Sequence, residues 1–138
     1  MTALREEPLT TPITFALHLV STGDGTTSGT FVATGLVDDS GTLPELARFG
    51  ALREDARLPL VVHGADSLAG ADGAIAISYD GVFAPAAPDV FSGAGLWRVT
   101  GGDHAYEDLR AEGTWRATAV FGDALVIDAV YEGGGWFA

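Results

Sequence analysis

Apolar and polar residues alternate one by one along most of this chain. Over 109–121, Leu109, Ala111, Gly113, Trp115, Ala117, Ala119 and Phe121 share one parity, and Arg110, Glu112, Thr114, Arg116 and Thr118 the other. Side chains of an extended strand point alternately to its two faces, so the first set predicts a core side and the second a wet side. The same reading puts Ile13, Phe15, Leu17 and Leu19 inside over 12–20, with His18 outside, and Phe31, Ala33 and Gly35 inside over 30–37. It puts Ile75, Ile77 and Tyr79 inside over 74–83, Trp97 and Val99 over 90–100, and Leu125, Ile127, Ala129 and Tyr131 over 124–133. Turn residues separate the runs: STGDGTTSG at 21–29, DDSG at 38–41, AGADG at 69–73, the Pro-rich APAAPD at 84–89, and Gly122-Asp123. The end, GGGWFA, is expected to add a short last strand.

Two stretches depart from the alternation. In 42–57, Thr42 and Glu45 form a capping-box pair, and Leu43, Leu46, Ala47 and Phe49 recur at helical spacing. They predict one short helix near residues 43–54, inserted where a meander would use a short link. In 58–68 both parities are apolar. On one parity His63 faces inward with Val61 and Ala65; on the other, Leu60, Val62 and Gly64 do. Residues 1–11 read as a loose segment. Seven or eight half-wet strands with short links predict an all-β fold, a single antiparallel barrel of about eight strands covering 1–138.

A barrel of that size is either filled by its side chains or holds one small ligand. Small inward residues such as Ala33, Gly93, Gly95, Gly113 and Ala117 leave room beside bulky rings, which suits a pocket, although they also suit tight barrel bends. Tyr79, Tyr131, Trp97 and Trp115 are the ring-bearing inward residues with a polar handle, the kind that orients a bound molecule or packs a core. Tyr79, Tyr131 and an inward His63 are the candidate catalytic groups. Phe15, Phe31, Ile77, Trp97, Trp115 and Tyr106 are the candidate ligand contacts. Asp and Glu, Asp66 included, fall mostly at turns or outward positions, which argues against a carboxylate-pair hydrolase.

Composition narrows this further. Nineteen glycines suit turns and barrel bends better than helices. Nineteen acids against seven bases give a net charge of −12, which excludes a basic footprint for nucleic acid and disfavours anionic membranes. There is no cysteine, and His18, His63 and His104 lie far apart, so neither thiolate chemistry nor a histidine-built metal site is expected. No nucleophile elbow, phosphate loop or dinucleotide motif occurs, and no cofactor is expected. MTALREEPLTTP carries no apolar stretch, and a cytoplasmic protein is the expectation.

The second half carries a resemblance. Ala71-Asp72-Gly73, then Trp97-Arg98-Val99, then a Gly-rich corner from Gly101 to Gly113 with Tyr106 and Leu109 resemble bacterial members of the allene oxide cyclase-like barrel superfamily, which includes dirigent proteins. The likeness covers residues 58–132 best. The usual Thr-Gly of the corner is replaced by Asp103-His104, and a Gly by Ala111. Asp and His tolerate left-handed backbone, so this pair is expected to make the turn, with ligand contact at a barrel mouth as the alternative. The resemblance implies a cofactor-independent cyclase or isomerase of natural-product biosynthesis that holds an apolar, flexible substrate. The alternatives are a non-catalytic carrier of a hydrophobic small molecule and a dirigent-like protein. It also implies a homodimer or homotrimer joined through outer faces, where Val126, Val130 and Leu96 point.

Overall fold

In the computed structural model, which describes residues 10–22, 27–43 and 59–138, eight strands follow one another and close into a barrel. They are β1 (Thr11–Thr22), β2 (Thr27–Gly35), β3 (Asp39–Thr42), β4 (Leu60–Gly70), β5 (Ala74–Ala87), β6 (Val90–Gly102), β7 (Leu109–Phe121) and β8 (Ala124–Phe137). Each pairs antiparallel with its sequence neighbour, and β8 returns to pair with β1 along its whole length. The closure is narrowest at β3, which meets β4 only at Ala69 and Gly70. All but Leu43 of the expected helix near 43–54, and all but Thr10 and Thr11 of the expected loose segment 1–11, lie outside the described residues.

The alternation sets the core. Ile13, Phe15, Leu17, Leu19, Phe31, Ala33, Ile75, Ile77, Trp97, Trp115, Ala117, Ala119, Ile127, Ala129 and Tyr131 are all buried, each on its expected parity. Gly35 is different. It is exposed, its φ is +92°, and a Cβ there would stand 2.3 Å from the carbonyl oxygen of Pro12. It is glycine because the chain leaves the sheet there in a left-handed conformation hard against β1, not to make room inside.

Two strand boundaries differ from expectation. Asp39–Gly41, expected within the DDSG turn, and Thr42, expected to cap the helix, form β3, which bridges β2 and β4 through only a few pairs such as Gly41 with Gly70. Four polar or small residues carry no alternating apolar signal, so only their neighbours reveal them as a strand. Conversely, Gly133–Phe137 is no separate strand. It continues β8 and pairs with both β1 and β7.

The corner at 103–108 is a turn. Asp103 accepts a hydrogen bond from the Ala74 N–H at 2.6 Å, and this, with His104 beside it, holds its carboxyl below the usual range. His104 takes a φ of +49° and opens a single 3-10 turn, His104–Tyr106. Tyr106 is buried, with its hydroxyl on the Asp39 carboxylate at 2.5 Å. That carboxylate also accepts the N–H groups of Ser40, Ala71 and Asp72 at 2.7, 2.9 and 3.1 Å. Asp39 thus ties together β3, the β4–β5 turn and the corner at one barrel end.

Candidate functional site

Inside the barrel Phe15, Trp97, Tyr131, Trp115, Tyr79 and Phe83 form one continuous cluster. Trp97 lies 6.0 Å from Tyr131, Trp115 stacks on Tyr131 at 6.1 Å, and Tyr79 meets Trp115 edge-on at 6.3 Å. Cross-strand pairing places them, with Tyr79 opposite Trp97 and Trp115 opposite Tyr131. Each indole N–H is satisfied by backbone. Trp97 donates to the carbonyls of Thr114 and Glu132 at 3.0 and 3.2 Å, and Trp115 donates to that of Asp80 at 3.0 Å. These bonds hold the rings in one orientation, as buried indoles require.

The inward glycines are occupied by these rings rather than left as space. A Cβ at Gly64 would stand 2.7 Å from the Tyr79 hydroxyl, one at Gly81 2.5 Å from the Trp115 ring, and one at Gly93 2.6 Å from the Phe83 ring. Among the described residues a cavity of about 20 Å³ is lined by Asp66, Tyr79, Phe83, Trp115 and Tyr131, together with Leu17, Leu19, Ala117, Ile127 and Ala129. That volume suits one or two waters.

Asp66 corrects the expectation of an interior free of acids. It is only 7 % exposed and is the buried charged residue among those described. Its charge acts on both phenols. Burial first, and the Asp66 charge second, push the Tyr79 hydroxyl up to about 12. Tyr131 is raised further, by burial first, then by Asp66 and Tyr79. Both phenols therefore stay protonated at neutral pH and act as hydrogen-bond donors.

The sequence left both parities of β4 open, and the structure selects the one that carries Asp66. β4 presents Leu60, Val62, Gly64, Asp66 and Leu68 inward, and Val61, His63 and Ala65 outward. The apolar parity that begins at Leu60 and Val62 ends on Leu68, and Asp66 lies on it. By the same token His63 is exposed on the outer wall, opposite Asp80, and belongs to no interior site.

The remaining candidates divide. Tyr79, Tyr131 and Trp115 line the cavity with Asp66. Phe15, Phe31, Ile77 and Trp97 are buried in the adjoining core, where Phe15 meets the Trp97 ring edge-on at 5.6 Å. Tyr106 does not contact this site, because its hydroxyl is engaged by Asp39 at the barrel end. At the opposite end, where β4 begins and the β7–β8 hairpin turns, Leu60, Val62, Phe121 and Leu125 are half-buried against the core. No group of three or more His, Asp or Glu poised for a metal occurs among the described residues.

Fold and site together define a closed up-and-down β-barrel with a carboxyl group and two phenols enclosed in its aromatic core. Comparison with protein-family models, with curated proteins and with solved structures finds no match. No helix among the described residues is long and apolar enough to cross a membrane.

Proposed function

We propose that this barrel is a cofactor-independent isomerase or cyclase, acting in the cytoplasm in natural-product biosynthesis on a compact, apolar substrate that carries a carbonyl or epoxide oxygen. The observation that carries this reading is Asp66, a carboxyl group enclosed with Tyr79 and Tyr131 in an otherwise apolar interior. Burying a carboxyl group is costly, and such groups cluster at functional sites. The resemblance of residues 58–132 to allene oxide cyclase-like barrels points the same way.

The roles follow from the chemistry of the three groups. Tyr79 and Tyr131, held protonated, donate hydrogen bonds to the substrate oxygen and stabilise the negative charge that develops there. Asp66 accepts a proton from the carbon next to a carbonyl and returns it to another carbon, so that no net proton is consumed. Trp115 and Phe83 limit the shapes the substrate can take, and holding reacting ends together lowers a barrier by as much as roughly 7–11 kcal/mol in favourable cases. A substrate larger than water reaches Asp66 by displacing side chains at the end lined by Leu60, Val62, Phe121 and Leu125.

The small cavity favours a second reading, a dirigent-like barrel with a filled interior, and a non-catalytic carrier of a hydrophobic small molecule is the remaining alternative. One assay separates them. Conversion of 3-cyclohexen-1-one to its conjugated isomer is followed by ultraviolet absorbance, beside thermal shifts with the same ketone. Acceleration that falls by roughly 100-fold or more in Asp66→Asn, and less in Tyr79→Phe, supports the isomerase. A thermal shift without turnover supports the carrier. Neither turnover nor a shift removes the interior as a site.

A further inference from the structure

We propose that the outer wall of β5, β6 and β7 holds a second site, which binds a free basic α-amino acid of the lysine or ornithine type. The argument is independent of the chemistry inside the barrel.

Space points to the outer wall. The interior cavity measures about 20 Å³, whereas a hollow of about 530 Å³ lies against Ser78, Asp80, Leu96, Arg98, Glu112 and Thr114. The larger volume falls within the range of small-molecule sites, roughly 300–1,000 Å³. The sheet is irregular beside it. The β5–β6 register shifts between Ala76 and Ile77, which leaves Thr100 as an extra residue of β6, one outward position beyond Arg98. A bulge of this kind bends its strand and re-aims the side chains next to it.

Three charged side chains line the hollow, and all three are exposed. Arg98 stands directly opposite Glu112 in the β6–β7 ladder, and Asp80 stands opposite Leu96 in the β5–β6 ladder. Register alone would pair Arg98 with Glu112. Among the described residues no ion pair joins them, or joins Arg98 to Asp80, whereas Arg116 on the same wall reaches Glu132 at 3.1 Å. Two acids and one base thus face the hollow with their hydrogen-bonding capacity open.

The complement of that pattern is a molecule with two cations and one anion, which is a basic amino acid. The order of its groups fits as well. The α-carboxylate meets the Arg98 guanidinium, which binds carboxylates through two parallel hydrogen bonds. The α-ammonium meets Glu112, because directly opposed side chains start only roughly 4.5–5.5 Å apart. The methylene stem then crosses Leu96, which is 59 % exposed and one outward position from Arg98. The terminal ammonium meets Asp80, a diagonal neighbour of Arg98 at roughly 7–8 Å, about the reach of an extended lysine side chain. The net charge of −12 draws cations to the whole surface, and Arg98 adds the selection for a carboxylate that an acidic surface lacks.

The test is an amide NMR titration of the full chain with L-lysine up to about 10 mM. Saturable shifts are expected to cluster at 78–80, 96–98 and 112–114. Norleucine, which lacks the terminal ammonium, and cadaverine, which lacks the carboxylate, should each bind roughly 5-fold more weakly or worse. Asp80→Asn should abolish the preference for lysine over norleucine, and Arg98→Gln the preference over cadaverine. Both positions are exposed, so circular-dichroism melts should be unchanged. Glu107→Gln, at the barrel end, should leave binding intact. Cadaverine binding as tightly as lysine, shifts that neither cluster nor saturate, or binding indifferent to Arg98→Gln overturns the proposal.

Discussion

Asp39→Asn tests the tie that holds one end of the barrel. The substitution keeps the shape of the side chain and removes its charge. In the folded protein the carboxylate accepts the Tyr106 hydroxyl and three backbone N–H groups. Led by the Tyr106 hydrogen bond, these lower its pKa from 3.8 to about 2. If that whole difference arose on folding, it would correspond to about 2.4 kcal/mol. The group is only partly buried, so solvent screening reduces the figure to roughly 1–2 kcal/mol. Because the folded value lies below the unfolded one, this stability is fully present above pH 3.8 and is lost as pH falls through about 2. Asp39→Asn should therefore lower Tm by roughly 4–8 °C at pH 7 for a domain of this size, and the gap to wild type should close between pH 4 and pH 2. Denaturant melts across that range, compared pairwise so that the other carboxylates cancel, measure it. Tyr106→Phe combined with Asp39→Asn should cost less than the sum of the two single changes. A gap that is absent at pH 7, or that persists unchanged to pH 2, would refute the argument.

Three further outcomes follow from the same structure. Trp97→Phe should cost roughly 2–4 kcal/mol in chemical denaturation, since it leaves a void in the core and deprives the Thr114 and Glu132 carbonyls of the indole N–H. Gly93→Ala should cost roughly 1–3 kcal/mol by pressing a methyl on the Phe83 ring, whereas Gly101→Ala, with nothing within 4 Å of the new Cβ, should change stability by no more than about 0.5 kcal/mol. His63→Ala should leave both stability and any interior chemistry unchanged, because the imidazole is on the outer wall; a loss of activity on this substitution would contradict the inward parity of β4.

Local chemistry was enough to determine the barrel's repeating unit. One-by-one alternation assigns a face to each side chain in six of the eight strands without reference to any neighbour, because strand geometry has a period of two. The Asp103-His104 turn was legible for a similar reason: these residues bear a left-handed φ that few others accept, and His104 adopts one. What lay beyond the sequence depended on pairing. β3 is a strand only because β2 and β4 supply partners for four residues with no pattern of their own. β4 is apolar on both parities, so whether His63 or Asp66 enters the interior was decided by how it registers against β5. Tyr106 was placed by Asp39, 67 residues away in the chain. The inward glycines are open positions in one dimension and ring seats in three, since only cross-strand register brings Tyr79 over Gly64 and Phe83 over Gly93. The sequence determined which way six of the strands face; the closed sheet decided the other two and what each residue meets, because a face is a local property and a partner is not.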